Sequence, residues 1–73
     1  MKPGDLVMTK RGKDVDLELD DGDMIGIAER TPALVLEVYV DPLDPDNSEV
    51  RVLINGLAGI LWRPDLEMVD ETG

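Results

Sequence analysis

The clearest pattern of apolar and polar positions lies between residues 33 and 69, where short apolar runs alternate with turn residues. Asn55-Gly56 separates two of these runs and predicts a tight β-hairpin, because a type I′ turn needs positive φ at both central positions. One face of that hairpin pairs Ile54 with Leu57, Val52 with Gly59 and Val50 with Leu61. Side chains alternate between the two faces of a strand, and this face is apolar apart from its glycine. We therefore expect it to line the core.

The opposite face of the hairpin is mixed in character. It pairs Leu53 with Ala58, Arg51 with Ile60 and Glu49 with Trp62. The preceding strand, residues 33–41, is expected to place Leu34, Leu36, Val38 and Val40 on the core face. Its other face would then add Val35 and Tyr39 to the outer side of the hairpin.

This outer side is a candidate protein interface, since exposed apolar patches that include a Trp with an Arg nearby are typical of binding sites. The predicted interface residues are Trp62, Ile60, Leu53, Tyr39, Val35 and Arg51. Trp62 would be the anchor and Arg51 a rim contact. Two alternatives stay open: barrel coiling turns some of these side chains inward, or the acidic segment upstream covers them.

That acidic segment, residues 14–23, alternates strictly between apolar residues and carboxylates. The period of two predicts one arm of a long hairpin-like loop, with Asp20–Asp23 as its turn and residues 24–29 as the second arm. Alternating carboxylates are also what a calcium loop presents. However, neither register supplies both the Gly at position six and the Glu at position twelve of an EF-hand. We therefore interpret the segment as a solvated face, and binding of a cation by residues 14–23 stays undecided.

The rest of the chain supplies shorter elements. We predict a first strand at Asp5–Thr9, followed by a basic turn at residues 10–13. Residues 41–48 are a loop by composition. Pro64 is expected to open a single 3₁₀ turn, since proline is tolerated at the first helical position. Residues 67–69 would form the closing strand.

The chain is expected to fold as a single domain over residues 1–69, because 73 residues leave no room for a second. Residues 70–73 read as a frayed acidic tail. A chain this short buries a small fraction of its surface. It has no cysteine and no histidine, so disulfides and Cys/His metal sites are excluded. Oligomerisation or binding to a partner is the remaining way to add buried area.

Composition narrows the classes of partner. The 17 Asp and Glu residues outnumber the 7 Lys and Arg residues, which gives a formal net charge of −10. Direct binding to nucleic acid or to an anionic membrane calls for clustered cations, and we expect neither. No apolar run approaches the length of a membrane span or a signal-peptide core. We expect synthesis in the cytoplasm, which is the host cytoplasm if the chain is phage-encoded.

Catalysis is not expected. Without His or Cys, a nucleophile or general base must be a carboxylate, a lysine or the single serine, Ser48. A carboxylate acid/base pair needs one buried member, whereas every Asp and Glu falls in a loop or on an outer face. A barrel of this size has an interior filled by side chains. We therefore predict no catalytic residues, no metal and no cofactor.

The order of predicted elements resembles that of an SH3-like barrel. Gly59-Ile60-Leu61 followed by Pro64-Asp65-Leu66 is similar to the ending of SH3 domains, and this resemblance implies that Leu61 and Leu66 are buried. The opening Lys2-Pro3-Gly4-Asp5-Leu6-Val7 resembles the first strand of KOW-type barrels. The resemblance implies an all-β fold, a small five- to six-stranded SH3-like barrel with one 3₁₀ turn near Pro64.

Two features depart from the best-known members of this group. Tyr39 and Trp62 are the only aromatic residues, too few for a polyproline groove, and RNA-binding KOW domains are basic. The sequence more closely resembles small acidic SH3-like proteins encoded by tailed bacteriophages. The resemblance lies in its "KPGDLV" opening, its "VLEV" strand and its "G-W-R-DLE-V" ending. Members of that group serve in capsid decoration, the neck or the baseplate.

The function we expect is therefore that of a non-enzymatic structural module, a repeated virion component that assembles through the apolar face around Trp62. Its partners would be further copies of the chain or other virion proteins. The alternative is an acidic inhibitor that mimics DNA and occupies the basic groove of a host nucleic-acid enzyme. Mimicry predicts salt-sensitive binding, whereas apolar assembly resists salt.

Overall fold

The computed structural model describes residues 1–69, which form seven β-strands and two 3₁₀ turns. The strands are β1 (Leu6–Thr9), β2 (Val15–Leu19), β3 (Met24–Ile27), β4 (Pro32–Tyr39), β5 (Glu49–Ile54), β6 (Leu57–Trp62) and β7 (Leu66–Met68). The 3₁₀ turns are Pro45–Asn47 and Arg63–Asp65. The turn predicted near Pro64 is confirmed, and the other lies in the predicted loop. The acidic tail predicted at residues 70–73 lies outside the described residues.

The strands make one curled antiparallel sheet, a half-barrel with the order β3-β2-β6-β5-β4-β1-β7. The all-β prediction is confirmed, but the expected count of five to six strands is wrong. The difference comes from the segment predicted as a hairpin-like loop. Its arms are the regular strands β2 and β3, and β2 also pairs with β6 through Glu18–Ile60 and Leu19–Gly59. Strict alternation of apolar side chains allows this segment to join the sheet.

The β5–β6 hairpin has the register predicted from its turn. All six residue pairs expected across it are present, from Ile54–Leu57 to Glu49–Trp62. Asn55 and Gly56 have φ values of 52° and 80°, the left-handed conformation that a type I′ turn requires. Turn chemistry alone therefore determined which side chains of these two strands share a face.

The core lies inside the curl of the sheet. Its buried apolar residues are Val7, Val15, Leu17, Ile27, Ala33, Val35, Val50, Val52, Ile54, Leu61 and Leu66. Burial of Leu61 and Leu66 confirms what the SH3-like ending implied. Gly59 is also buried, and a Cβ built on it would lie 2.7 Å from the backbone oxygen of Glu18. A side chain at this position would separate β2 from β6.

Strand β4 differs from its predicted faces because it contains a β-bulge. Val35 pairs with Val52 on β5, but the next pair is Glu37 with Arg51, so Leu36 has no partner. A bulge residue shifts the alternation by one position. Ala33 and Val35 consequently face the core before the bulge, while Val38 packs against it afterwards. The prediction that Leu34 and Leu36 face the core is wrong, since both are exposed.

Candidate protein-interaction surface

The outer face of the sheet carries an apolar row that crosses four adjacent strands. Leu6 on β1 pairs with Leu34 on β4, Leu34 pairs with Leu53 on β5, and Leu53 pairs with Ala58 on β6. Neighbouring strands lie about 4.8 Å apart, so the row is about 14 Å long. Its three leucines are 38–47% exposed, which is high for large aliphatic side chains. We call Leu6, Leu34, Leu53 and Ala58 the leucine row.

A second row with aromatic members lies nearer the other end of β5. Tyr39 on β4 and Trp62 on β6 both pair with Glu49 on β5, one from each side. Trp62 is 52% exposed, so half of its indole surface is available for contact. In the register of the strands, Glu49 lies between the two aromatic residues.

Charged side chains lie between these two rows. Glu37, Arg51 and Ile60 are successive partners across β4, β5 and β6, and Glu18 on β2 follows Ile60. The Arg51 guanidinium reaches across β6 to the β2–β3 turn, where it donates two hydrogen bonds of 3.0 Å to the carboxylate of Asp20. Ile60 is only partly exposed in this arrangement. The Arg51–Asp20 pair therefore crosses the middle of the outer face beside Ile60, whereas the leucine row and Trp62 stay exposed.

Hydrogen bonding shifts the pKa of two groups on this face. The Tyr39 hydroxyl donates a 2.9 Å hydrogen bond to Glu37 Oε2, and this bond raises the pKa of Tyr39 above its ordinary value of 10.0. Partial desolvation and the charge of Glu37 act in the same direction. The hydrogen bonds from Arg51 to Asp20, together with the opposite charge of that carboxylate, raise the pKa of Arg51.

Five of the six residues predicted for the interface lie on the outer face: Trp62, Ile60, Leu53, Tyr39 and Arg51. The placement of Val35 there is wrong, because Val35 is 1% exposed and belongs to the core. The bulge at Leu36 is the physical reason, since it reverses the faces of the first half of β4. That the other five form an interface stays a prediction.

Sequence reasoning missed two members of the leucine row. The prediction assumes uninterrupted alternation along β4, with no bulge at residue 36, and this assumption places Leu34 on the core face with Val38. Leu6 falls on a predicted strand, but the face it occupies depends on pairing with Leu34. The alternation of Ala33 and Val35 with Leu34 carries no signal about which set is buried, because both sets are apolar.

The β2–β3 hairpin presents its carboxylates outward as predicted. Asp16 and Glu18 are exposed on β2, while Val15 and Leu17 are buried beneath them. Gly22, with φ 91°, closes the turn by donating its N–H to the Leu19 carbonyl oxygen at 3.0 Å. Within residues 1–69, no three acidic side chains converge in a geometry that could hold a metal ion.

An open groove of about 280 Å³ lies beside β7 and is lined by Met8, Arg11, Arg30, Glu67, Met68 and Val69. The Arg11 N–H donates to Glu67 Oε1 at 3.0 Å, and Lys13 of the same basic turn forms a 2.6 Å ion pair with Asp65. The basic turn at residues 10–13 is thus bound to the acidic side chains around it. The groove combines two arginines with methionine side chains and lies at the edge of the sheet, outside the core.

Comparisons with protein-family models, with curated protein sequences and with solved structures return no match for this chain. No helix long and apolar enough to cross a membrane occurs in the part of the chain that the structure describes.

Proposed function

We propose that this chain is a non-enzymatic protein-interaction module with an SH3-like barrel, and that it serves as a repeated component of a tailed-phage virion. The outer face of the sheet binds a neighbouring virion protein through the leucine row, with Trp62 at the margin of the contact. The partner presents an apolar patch with a basic rim. No catalytic group, metal or cofactor takes part.

The SH3-like assignment is supported by the order of the elements. A first strand, a long hairpin, three strands joined by a loop and a two-residue turn, a 3₁₀ turn and a short last strand follow one another along the chain. This is the order that the sequence resemblance implied. The arms of the long hairpin are regular strands in this protein, which accounts for the larger strand count.

The leucine row carries the proposal of an interface. Exposed leucines are common singly, but three in register across adjacent strands form a contiguous apolar strip on a protein of net charge −10. Glu37 and Glu49 lie on one side of the strip, along β4 and β5, and give that side negative charge beside the Arg51–Asp20 ion pair. Charge complementarity of that kind selects a partner with a basic rim.

The proposal of a virion component rests on the resemblance of the opening and closing sequences to small acidic phage proteins. Assembly in many copies also suits a chain with neither disulfides nor histidine ligands, because contact with neighbours adds the buried area that a 73-residue core lacks.

Two measurements test the proposal. Mass spectrometry of phage particles purified from the source organism should detect this chain at many copies per particle. Incorporation into particles should fall at least tenfold for Leu53→Lys, which places a charge in the leucine row. Leu43→Lys, at a 94% exposed position in the loop after β4, should be incorporated normally. Absence from particles, or equal incorporation of both variants, contradicts the proposal.

A DNA-mimic inhibitor is the second candidate, and the outward side of β2 favours it. Asp14, Asp16, Glu18 and Asp20 follow one another at two-residue intervals and all are exposed. A strand rises about 3.4 Å per residue, so Asp16 and Glu18 on β2 are spaced by about 7 Å, with Asp14 and Asp20 directly flanking the strand. Binding to a basic nucleic-acid enzyme that weakens steeply with salt, and that Asp16→Asn with Glu18→Gln abolishes, would establish this function in place of virion assembly.

A further inference from the structure

Strand β3 forms one edge of the sheet and, although it is only four residues long, lacks the charge, proline and bulge that protect many sheet edges from pairing. Within residues 1–69 it pairs with β2 alone. Its sequence, Met-Ile-Gly-Ile, contains no charge and no proline, and its pairs with β2 run without a bulge. Natural edge strands are usually protected by such features. The opposite edge, β7, is one residue shorter and carries Glu67 at its centre.

The backbone groups that β3 presents outward follow from its hydrogen bonds to β2. Leu19 donates its N–H to the Asp23 carbonyl oxygen at 2.8 Å at the closed end of the hairpin. Bonded and non-bonded pairs alternate along an antiparallel ladder, so Leu17 and Ile25 form the next bonded pair. Met24 and Gly26 therefore direct their N–H and C=O groups away from β2.

We propose that a second copy of the chain adds to this edge, with the two β3 strands antiparallel around a two-fold axis at Ile25. In that register Met24 of each copy faces Gly26 of the other, and four N–H···O=C bonds join the two strands. Ile25 faces its own counterpart on the core side of the sheet, where it already packs against the buried cluster. The two half-barrels then share one continuous sheet.

The side chains of β3 are self-complementary in this register. Met24 is 57% exposed, and the space where a side chain of Gly26 would lie is open to at least 4 Å. Each methionine thus covers the glycine of the other copy. Asp16 pairs with Gly26 and Glu18 pairs with Met24 across β2–β3, so carboxylates of the two copies are three strand spacings apart, about 14 Å. Direct opposition of like charges is avoided.

Repulsion between two chains of net charge −10 sets the expected response to salt. Salt screens that repulsion, so dimerisation should strengthen as ionic strength rises. The contact pairs three residues of β3 on each copy and is small for a protein interface, so we expect a dissociation constant in the micromolar to millimolar range. This edge is separate from the leucine row, and the inference does not depend on the virion proposal.

The test is sedimentation equilibrium of the full chain over a wide concentration range at low and high salt. Met24→Lys and Gly26→Pro should each weaken dimerisation at least tenfold; a proline at residue 26 removes an outward N–H and leaves the bonds to β2 intact. Met68→Lys is the matched control, since Met68 is 53% exposed on the other edge strand. Leu53→Lys should also leave the dimer intact, which separates this inference from the outer-face proposal.

Amide hydrogen exchange supplies a second readout that does not require a variant. Protection of the Met24 and Gly26 amides should rise with protein concentration, whereas the Ile25 and Ile27 amides bond to β2 and should be protected at all concentrations. A chain that stays monomeric at millimolar concentration overturns the proposal. So does a dimer that survives both β3 substitutions, or one that Met68→Lys disrupts equally.

Discussion

Arg51 on β5 and Asp20 in the β2–β3 turn form a two-bond ion pair that spans β6, with Nη1 and Nη2 each 3.0 Å from a carboxylate oxygen. This pair links the tip of the acidic hairpin to β5 across β6. Both side chains are substantially exposed, at 32% and 64%, so solvent screens their attraction. The bidentate geometry contributes orientation more than stability.

We predict that the coupling between Arg51 and Asp20 is salt-dependent. A double-mutant cycle with Arg51→Met and Asp20→Asn should give a small favourable coupling at low salt that is lost at high salt. The Debye length falls from about 30 Å at about 0.01 M to about 3 Å at about 1 M. Urea unfolding of the four proteins measures the coupling. A value that does not change with salt would show that the pair acts through packing, since only the electrostatic part is screened.

Gly59 should tolerate no side chain. In Gly59→Ala the new methyl would lie 2.7 Å from the Glu18 carbonyl oxygen and 2.8 Å from the Leu17 side chain. The backbone oxygen cannot rotate away, so β2 must shift from β6, and we expect a loss of about 1–3 kcal/mol in the free energy of unfolding. Urea denaturation followed by Trp62 fluorescence measures it.

Gly26→Ala is the control for Gly59→Ala. Gly26 is also a strand glycine without positive φ, but beyond its chain neighbours no atom lies within 4 Å of the position that a new methyl would take. Its replacement should change the unfolding free energy by less than about 0.5 kcal/mol at concentrations where the chain is monomeric. Equal losses of unfolding free energy for the two substitutions would show that the close approach of β2 to Gly59 is not what makes a side chain there destabilising.

Thr9 should contribute more to the stability of the fold than its position near a turn suggests. Its hydroxyl is fully buried, donates to the Ala28 carbonyl oxygen at 2.7 Å and accepts from the Thr31 N–H at 2.8 Å. Thr9→Val keeps the shape of the side chain but leaves that N–H without its acceptor. We expect a loss of about 1–3 kcal/mol in thermal or urea unfolding.

Thr31→Val provides the comparison for Thr9→Val. The Thr31 hydroxyl donates to the same Ala28 oxygen at 2.8 Å, in a bond that is exposed to solvent. Water can replace it, and Ala28 keeps its bond from Thr9, so the loss should be well below that of Thr9→Val. If Thr31→Val lost more unfolding free energy than Thr9→Val, the exposed Thr31 hydroxyl, and not the buried Thr9 hydroxyl, would hold β1 to the β3–β4 connection.

Tyr39 should titrate above its ordinary pKa, and as the only tyrosine it can be followed by phenolate absorbance. Glu37→Ala removes the hydrogen bond and the negative charge, so the pKa should fall. Arg51→Met removes a cation that lowers this pKa, so the pKa should rise further. Shifts in the same direction for both variants would contradict this electrostatic account.

The pKa shift of Tyr39 also sets the sign of a pH effect on stability. Its pKa is higher in the folded chain than in the unfolded chain, so the folded state binds the proton more tightly. The stabilising contribution is complete below the unfolded value near 10 and is lost as the pH rises through the folded value. Glu37→Ala should reduce the loss of stability above about pH 10, as measured by urea unfolding across that range.

The sequence by itself determined the features that depend on neighbouring residues. Asn55-Gly56 specifies a turn with positive φ at two positions, and that turn fixes the register of β5 against β6. The alternation from Val15 to Leu19 assigns the two faces of β2, and Pro64 marks the 3₁₀ turn. Each of these signals is local, because it needs only chain geometry over a few residues.

Only the tertiary structure decided the faces of β4 and the composition of the outer surface. Both alternating sets of β4 are apolar before residue 37, so the side that is buried depends on how β4 pairs with β5 around the bulge at Leu36. That pairing moves Val35 into the core and brings Leu34 into register with Leu6 and Leu53. The contact of Gly59 with β2 and the ion pair of Arg51 with Asp20 likewise join residues distant in sequence. They arise from the curl of the sheet, which no short stretch of the chain specifies.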